Sequence, residues 1–438
     1  MSLRVCAVAA LLVGGVTAPA RGQFDFDTPP IEYSTKSVTT DVTRLQADLD
    51  AGKVVLDYDE RHSYLASLLK HLDIPVSSQA LVFSKTSLQG RRISPRAPRA
   101  IYFNDDTYVG WVPSGDTIEI MSTDPVQGEI FYTLDRERVD RPVLVRNQDN
   151  CLSCHATVRT QKVPGALVRS VFPDPSGQPQ LASGSFVTDH TSPFEERWGG
   201  WYVTGTHGRM RHMGNTCLQE GEGRNDFDRE AGANVTDLAG RCDVKRQLTP
   251  HSDIVALMVL EHQTQMHNFL TLASYECRSA NHYDKTMNAV LERPEDFVSD
   301  VTKRRIRSAG EKLLEALLYS SEFPLTDEVR GTSTFARDFS ARGPRDSQGR
   351  SLRDFDLKTR MFRYPCSHLI YTPAFDQLPR DVKRYVVGRL DEILTGQDTT
   401  EPFRHLSPED RTAIREILLE TKPGLFASEG KETPPLPG

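Results

Sequence analysis

The sequence predicts an α+β protein with a mixed N-terminal region, an extended, loop-rich middle and a mainly helical C-terminal region. Three observations lead to this prediction. Short strand-like runs separated by turn residues fill much of the first part, and extended segments continue through the middle. Apolar positions with helical spacing dominate the last part. The 438 residues are enough for two or three domains.

The first region, residues 23–140, is expected to form a small α+β domain. It opens with two short predicted helices at 41–49 and 62–72. Turn signals such as residues 104–106 (NDD) and 113–115 (PSG) then separate strand-like runs. The predicted strands are 80–84, 100–103, 108–112, 117–121 and 129–134.

The remaining chain changes from extended to helical character. Residues 141–250 are predicted to be rich in loops, with extended segments at 141–146, 181–187 and 199–204. Residues 251–425 are predicted to form a helical domain, and 335–355 is a polar, Gly- and Arg-rich stretch expected to be a solvated loop. The tail, 426–438, is expected to be disordered. The predicted helices are 254–279, 303–319, 379–394 and 408–421.

The N-terminus has the features of a secretory signal peptide. Arg4 is the only charge in residues 1–20, an apolar run follows at 5–16, and Ala18-Pro19-Ala20 matches a cleavage site. The run is shorter than the roughly 20 residues that span a bilayer, although an uncleaved anchor is the alternative. The mature chain is therefore expected in the periplasm, or otherwise exported, and not integral to the membrane.

Composition argues against one class of partner. The formal net charge is −7, and charged residues make up 26% of the chain with both signs well mixed. Nucleic-acid binding normally requires a basic face. The sequence therefore predicts no nucleic acid as a partner.

One short motif indicates a cofactor. Residues 150–155 (NCLSCH) contain the spacing C-x-x-C-H. Positions i, i+3 and i+4 share one face of a helix, so one turn presents Cys151, Cys154 and His155 together. Two thiols can then bond the two vinyl groups of one porphyrin while the histidine binds its iron. The motif predicts one covalent haem c, with His155 as an axial ligand.

Two other interpretations of the cysteine pair are weaker. A structural zinc site would need a second pair with similar spacing, and the sequence has none. A thioredoxin-like redox pair would not need the adjacent histidine. The second ring nitrogen of His155 should be held by an acceptor. The motif resembles that of c-type cytochromes, in which the acceptor is often the carbonyl of a proline shortly after the motif. This resemblance makes the carbonyl of Pro164 the candidate, unless Pro164 simply turns the chain.

The motif resembles that of c-type cytochromes, and this resemblance covers few residues. The segment before the motif is extended, whereas small cytochromes c place a helix there. A standard small cytochrome c fold is therefore not expected. The whole chain is similar to exported single-haem proteins of unassigned function, a resemblance carried by residues 197–208 (RWGGWYVTGTHG), 261–268 (EHQTQMHN) and 364–371 (YPCSHLIY).

The sixth iron ligand is expected from His or Met, if the protein supplies one. His207 and Met213 lie in a Gly-rich loop and are the first candidates. His262 lies in the middle of an apolar face formed by residues at four-residue steps along a predicted helix. For His262, a core histidine bonded to a neighbour is the alternative interpretation.

Cysteines outside the motif suggest a crosslink. Export places the chain in an oxidising compartment. Cys217 and Cys242 enclose a polar stretch that resembles an insertion, and a disulfide between them is predicted, with buried free thiols as the alternative. Cys277 and Cys366 would be the remaining pair.

Three functions fit these features. The favoured one is electron transfer through the covalent haem, with an unidentified redox protein as partner. The second is a peroxidase-like oxidoreductase with an open iron site. The third is a haem-based sensor or binding module. The sequence names no substrate.

Overall fold

The computed structural model of the chain describes residues 25–147 and 149–427. The expected signal peptide at 1–20 lies outside the described residues, as does the expected disordered tail from residue 428 onward. Within the described ranges, helices are combined with antiparallel sheets, which confirms the predicted α+β class.

The first half of the chain builds the main sheet and the motif helix. Its elements, in chain order, are α1 (Asp41–Asp50), α2 (Leu65–His71), β1 (Ala80–Val82), β2 (Arg99–Phe103), β3 (Thr107–Trp111), β4 (Thr117–Asp124), β5 (Gly128–Asp135), β6 (Leu144–Arg146), α3 (Asp149–His155), β7 (Val168–Val171), β8 (Ser185–Thr188) and β9 (Gly205–Thr206).

The second half is mainly helical. Its elements are α4 (Ile254–Val290), α5 (Asp300–Leu317), β10 (Arg330–Gly331), α6 (Phe335–Ala341), α7 (Pro373–Asp376), α8 (Arg380–Leu394) and α9 (Pro408–Thr421).

Strands β1 to β6 form an antiparallel meander in sequence order. The turn between β2 and β3 is closed by Asn104, whose side-chain oxygen accepts hydrogen bonds from the amides of Asp106 and Thr107. Alternate residues of each strand face opposite sides of the sheet. One side packs on α1 and α2 in a shared apolar core, to which the strands contribute Tyr102, Val109, Trp111, Ile118, Ile120 and Leu134.

Helix α4 is the central support of the fold. It has 37 residues and is therefore about 55 Å long at 1.5 Å per residue. It begins after Asp253, whose carboxylate accepts hydrogen bonds from the amides of Val255 and Ser333. Its first turns pack against Phe103 and Tyr108 of the sheet, and its later turns pack against α5 and α8. Among the described residues, no helix combines the length and apolar character needed to cross a membrane.

One expectation about local structure was wrong. Residues 335–355 are not simply a solvated loop, because they begin with α6, whose Phe335 and Phe339 are buried. Residues 199–204, predicted to be extended, form isolated bridges at Trp201 and Thr204. Both segments are held by contacts with distant parts of the chain, and local composition does not encode those contacts.

Candidate functional site

The C-x-x-C-H motif forms α3, which directly follows the sheet. Strand β6 pairs with β5, so the extended segment predicted before the motif is the last strand of the meander. Leu152 is buried in the core that the sheet shares with α1 and α2. The Cys151 side chain is half-buried and Cys154 is exposed. The helix thus anchors itself through Leu152 and keeps its thiols near the surface.

The imidazole of His155 has a fixed orientation. Its Nδ1 lies 2.8 Å from the carbonyl oxygen of Gly165, and its ring packs against that of Phe131 with 4.9 Å between the centroids. Because a carbonyl only accepts, Nδ1 carries the proton and Nε2 keeps its lone pair. Burial lowers the pKa of His155, although the hydrogen bond to Gly165 opposes this. At neutral pH the imidazole is therefore uncharged.

The acceptor for this histidine is not the expected carbonyl of Pro164. It belongs to the next residue, Gly165, while the Pro164 oxygen accepts a hydrogen bond from the amide of Glu129. The structure therefore corrects the predicted acceptor by one residue. The principle behind the prediction, an acceptor shortly after the motif, is confirmed.

The loop after α3 folds back on the histidine. The Gly165 amide donates to the carbonyl of His155 at 2.8 Å. The Thr160 hydroxyl is within hydrogen-bond distance of the carbonyl oxygens of His155, Thr157 and Val163. The loop is therefore closed by its own hydrogen bonds before it reaches the rest of the protein.

Opposite charges lie near the motif. Arg99 and Glu119, from β2 and β4, form an ion pair with 2.6 Å between nitrogen and oxygen. Burial raises the pKa of the Cys151 thiol to about 11, and Glu119 contributes in the same direction while Arg99 opposes it. Cys151 is therefore a protonated thiol at neutral pH. Catalytic and metal-binding cysteines usually show the opposite shift.

The candidate distal ligands are engaged elsewhere in the structure. The Nδ1 of His207 bonds to the carbonyl of Met210 at 2.7 Å, and its Nε2 accepts from the amide of Asn234 at 3.0 Å. Met213 is fully buried, and its sulfur accepts a hydrogen bond from the hydroxyl of Ser170 at 3.7 Å. Neither side chain is free to bind a metal without losing these contacts.

The third candidate, His262, is also fully engaged. Its Nε2 lies 2.8 Å from the Ser367 hydroxyl and its Nδ1 lies 3.2 Å from Nδ1 of His190. Its ring stacks on Tyr319 with 4.1 Å between the centroids. Burial lowers the pKa of His262 well below its ordinary value. These contacts match the alternative interpretation of a core histidine bonded to its neighbours.

Sequence reasoning missed a polar residue that reaches the motif loop. Asn268, on α4, is fully buried and bonds to the backbone of Ala166 in both directions. The signal was present, because residues 261–268 (EHQTQMHN) place a polar run inside a mostly apolar helix. A buried polar run of this kind requires partners, but the sequence does not say which.

The expected disulfide between Cys217 and Cys242 is absent. Both are free thiols, as are Cys277 and Cys366. Cys217 and Cys242 pack as apolar side chains against the core that contains Tyr202. The polar stretch between them is held by other bonds, for example from Arg241 to the carbonyl oxygens of Asn215 and Ala231.

Within residues 25–147 and 149–427, no group of three His, Cys, Asp or Glu side chains is arranged to hold a metal ion.

Comparisons of this chain with protein-family models, with curated proteins and with solved structures found no match.

Proposed function

We propose that this chain is an exported monohaem c-type cytochrome that transfers electrons to or from another protein. Cys151 and Cys154 would hold the porphyrin through two thioether bonds, and Nε2 of His155 would bind the iron. One observation carries the proposal. The two thiols share a helical turn with a histidine whose Nδ1–H is bonded to a backbone carbonyl, which leaves Nε2 as its lone-pair atom.

The residues at the site fit a covalent haem better than they fit a zinc ion or a thiol redox pair. A zinc site would use thiolates, and a thioredoxin-like site would use a cysteine of lowered pKa. The pKa of Cys151 is instead raised. Haem attachment consumes the thiols in thioether bonds, so it does not depend on stable thiolates once complete.

The protein's own residues would orient the ligand and set its strength. A hydrogen bond from Nδ1–H raises the basicity of an imidazole ligand and fixes its ring orientation. Gly165 supplies the acceptor, and Phe131 limits rotation of the ring. When bound, the haem would supply reversible one-electron chemistry at its iron, and its potential depends on such contacts.

A second candidate function rests on the distal side. His207 and His262 each have both ring nitrogens in hydrogen bonds, and Met213 is buried in a separate apolar cluster. If no protein side chain takes the sixth position, the iron is open to small molecules. That arrangement favours a peroxidase-like oxidoreductase over a carrier.

Two measurements test these proposals. Denaturing electrophoresis with haem staining should show covalent haem in the exported protein and none in Cys151→Ala/Cys154→Ala. The matched control, Cys217→Ala/Cys242→Ala, should keep the stain, and stain retained by the motif variant would refute the attachment. Absorption spectra with carbon monoxide then separate the functions. A low-spin spectrum that carbon monoxide leaves unchanged supports the carrier, and rapid binding after reduction supports the oxidoreductase.

A further inference from the structure

We infer that Asn268 on α4 is a positioning residue for the axial histidine and adjusts its strength as an iron ligand. This inference rests on the proposed haem attachment. Asn268 lies 113 positions after His155 in the chain and does not need to touch it. It acts through a single peptide unit, the one that joins Gly165 to Ala166.

The hydrogen bonds form a continuous chain. Nδ1–H of His155 donates to the carbonyl of Gly165 at 2.8 Å. The amide of Ala166, which belongs to the same peptide unit, donates to Oδ1 of Asn268 at 2.9 Å. Because a peptide unit is planar and trans, its C=O and N–H point in opposite directions. Fixing the N–H therefore fixes the direction in which the carbonyl faces the histidine.

Asn268 holds Ala166 at a second point. Its Nδ2 donates to the carbonyl of Ala166 at 2.7 Å, so the side-chain amide pairs with one residue in the way that a neighbouring strand would. Asn268 is fully buried and Ala166 nearly so. Water therefore cannot replace these bonds, and each unpaired group would carry a desolvation penalty.

Residues 164–166 are packed closely against their neighbours. A Cβ on Gly165 would lie 2.1 Å from Oδ1 of Asn268. A Cβ on Gly128 would meet both Thr271, one turn after Asn268, and the carbonyl oxygen of Pro164. Helix α4 and the turn between β4 and β5 thus enclose residues 164–166 from two sides.

Through this series of hydrogen bonds, Asn268 also affects the basicity of the imidazole. Hydrogen bonds in series polarise one another, so the bond to Oδ1 makes the Gly165 carbonyl a stronger acceptor. A stronger acceptor makes the imidazole more basic and favours the more highly charged ferric iron. Loss of Asn268 should therefore raise the midpoint potential of the haem.

The test compares two asparagines of the same helix. Asn268→Ala removes the support described above. Asn288→Ala is the control, because Asn288 is also buried on α4 and donates to a loop carbonyl, that of Phe297, far along the chain from the motif. Haem content and midpoint potential are measured for both variants and the unmodified holoprotein.

We expect covalent haem in all three proteins, a positive shift of potential in Asn268→Ala and no shift in Asn288→Ala. An unchanged potential in Asn268→Ala, or an equal shift in both variants, would overturn the inference. A second measurement needs no variant. The Ala166 amide should be strongly protected from hydrogen exchange in the unmodified protein, and exchange as fast as that of an exposed loop would also overturn it. Absence of haem from the unmodified protein would instead refute the proposed function, and exchange would still report on Asn268.

Discussion

Replacement of Gly165 by alanine should disturb the histidine support through one steric contact. Gly165 does not have a positive φ, so its backbone conformation is open to alanine. The obstacle is Oδ1 of Asn268, at 2.1 Å from the new Cβ. Real Cβ atoms do not approach a heavy atom that closely, so the Asn268 amide must move. It would then lose its bonds to Ala166.

The magnitude follows from the bonds that are lost. Two hydrogen bonds at about 1 kcal/mol each, with a buried amide left unsatisfied at about 1–3 kcal/mol, give a loss of unfolding free energy of about 3–5 kcal/mol. Asn268→Ala alone breaks the same bonds and should cost a similar amount. In the double variant the shortened side chain no longer obstructs the new Cβ. The remaining close atom is Cβ of Thr160 at 3.2 Å, which needs to shift by only a few tenths of an ångström. The double variant should therefore cost little more than Asn268→Ala alone.

The assay is a double-mutant cycle on the holoprotein, with unfolding in guanidinium followed by circular dichroism. We expect a coupling free energy of about 3 kcal/mol or more between the two positions, because the double variant loses the same bonds only once. That lies at the upper end of the about 0.5–3 kcal/mol by which residues in contact couple. Effects that add within about 0.5 kcal/mol would mean that the two residues act independently. That result would refute the argument that Asn268 obstructs position 165.

Three further predictions concern stability. Gly388→Ala, at an exposed position of α8 with open space around the new Cβ, should stabilise the protein by about 1 kcal/mol, measured by thermal unfolding. Arg411→Met should destabilise it by about 2–4 kcal/mol in denaturant, since buried Arg411 donates to four carbonyl oxygens that would lose their partner. Glu129→Gln should remove a pH dependence of stability, because burial raises the pKa of Glu129 to about 8 in the native protein. The free energy of unfolding of the unmodified protein therefore falls as the pH rises from the pKa of Glu129 in the unfolded chain towards 8. Between pH 5 and 7, the variant should gain about 1.4 kcal/mol per pH unit over the unmodified protein, measured by denaturant unfolding at each pH.

Each of these predictions can fail clearly. A destabilised Gly388→Ala would mean that the helix needs glycine there for a reason other than space. An Arg411→Met variant as stable as the unmodified protein would mean that the four carbonyl oxygens find water. A difference between Glu129→Gln and the unmodified protein that stays constant from pH 5 to 7 would mean that Glu129 ionises normally in the native state.

Much of the fold was predictable because the signals are local. The helix that begins after Ser407 has a capping box with Asp410, and its apolar spacing is visible in the sequence. The turn that Asn104 closes needs only the residues beside it. The spacing of the motif also predicted a helical turn, and α3 confirms it. These elements depend on residues a few positions apart, and sequence patterns encode such relations directly.

The features that the sequence did not predict depend on contacts between residues far apart in the chain. Whether Pro164 or Gly165 faces His155 is set by how the loop packs on α4, through Asn268 about 100 residues later. The helix in 335–341 forms because Phe335 packs against Phe103, although the surrounding composition is polar. The predicted disulfide failed for the same reason. The positions of Cys217 and Cys242 at the two ends of a polar stretch do not determine whether the two thiols come within bonding distance in the folded protein.

Three polar residues of α4 share one physical role. Gln263 donates to the carbonyl of Asn104, in the turn between β2 and β3. Tyr275 donates to the carbonyl of Gln127, in the turn between β4 and β5, and Asn268 holds Ala166.

Each supplies a partner to a loop carbonyl that α4 has shielded from water, and an unpaired carbonyl there would be costly. A histidine supported in this way depends on the packing of the sheet against α4. If the haem attaches as proposed, its ligand is held from two sides, by Phe131 of the sheet and, through Gly165 and Ala166, by Asn268 of α4.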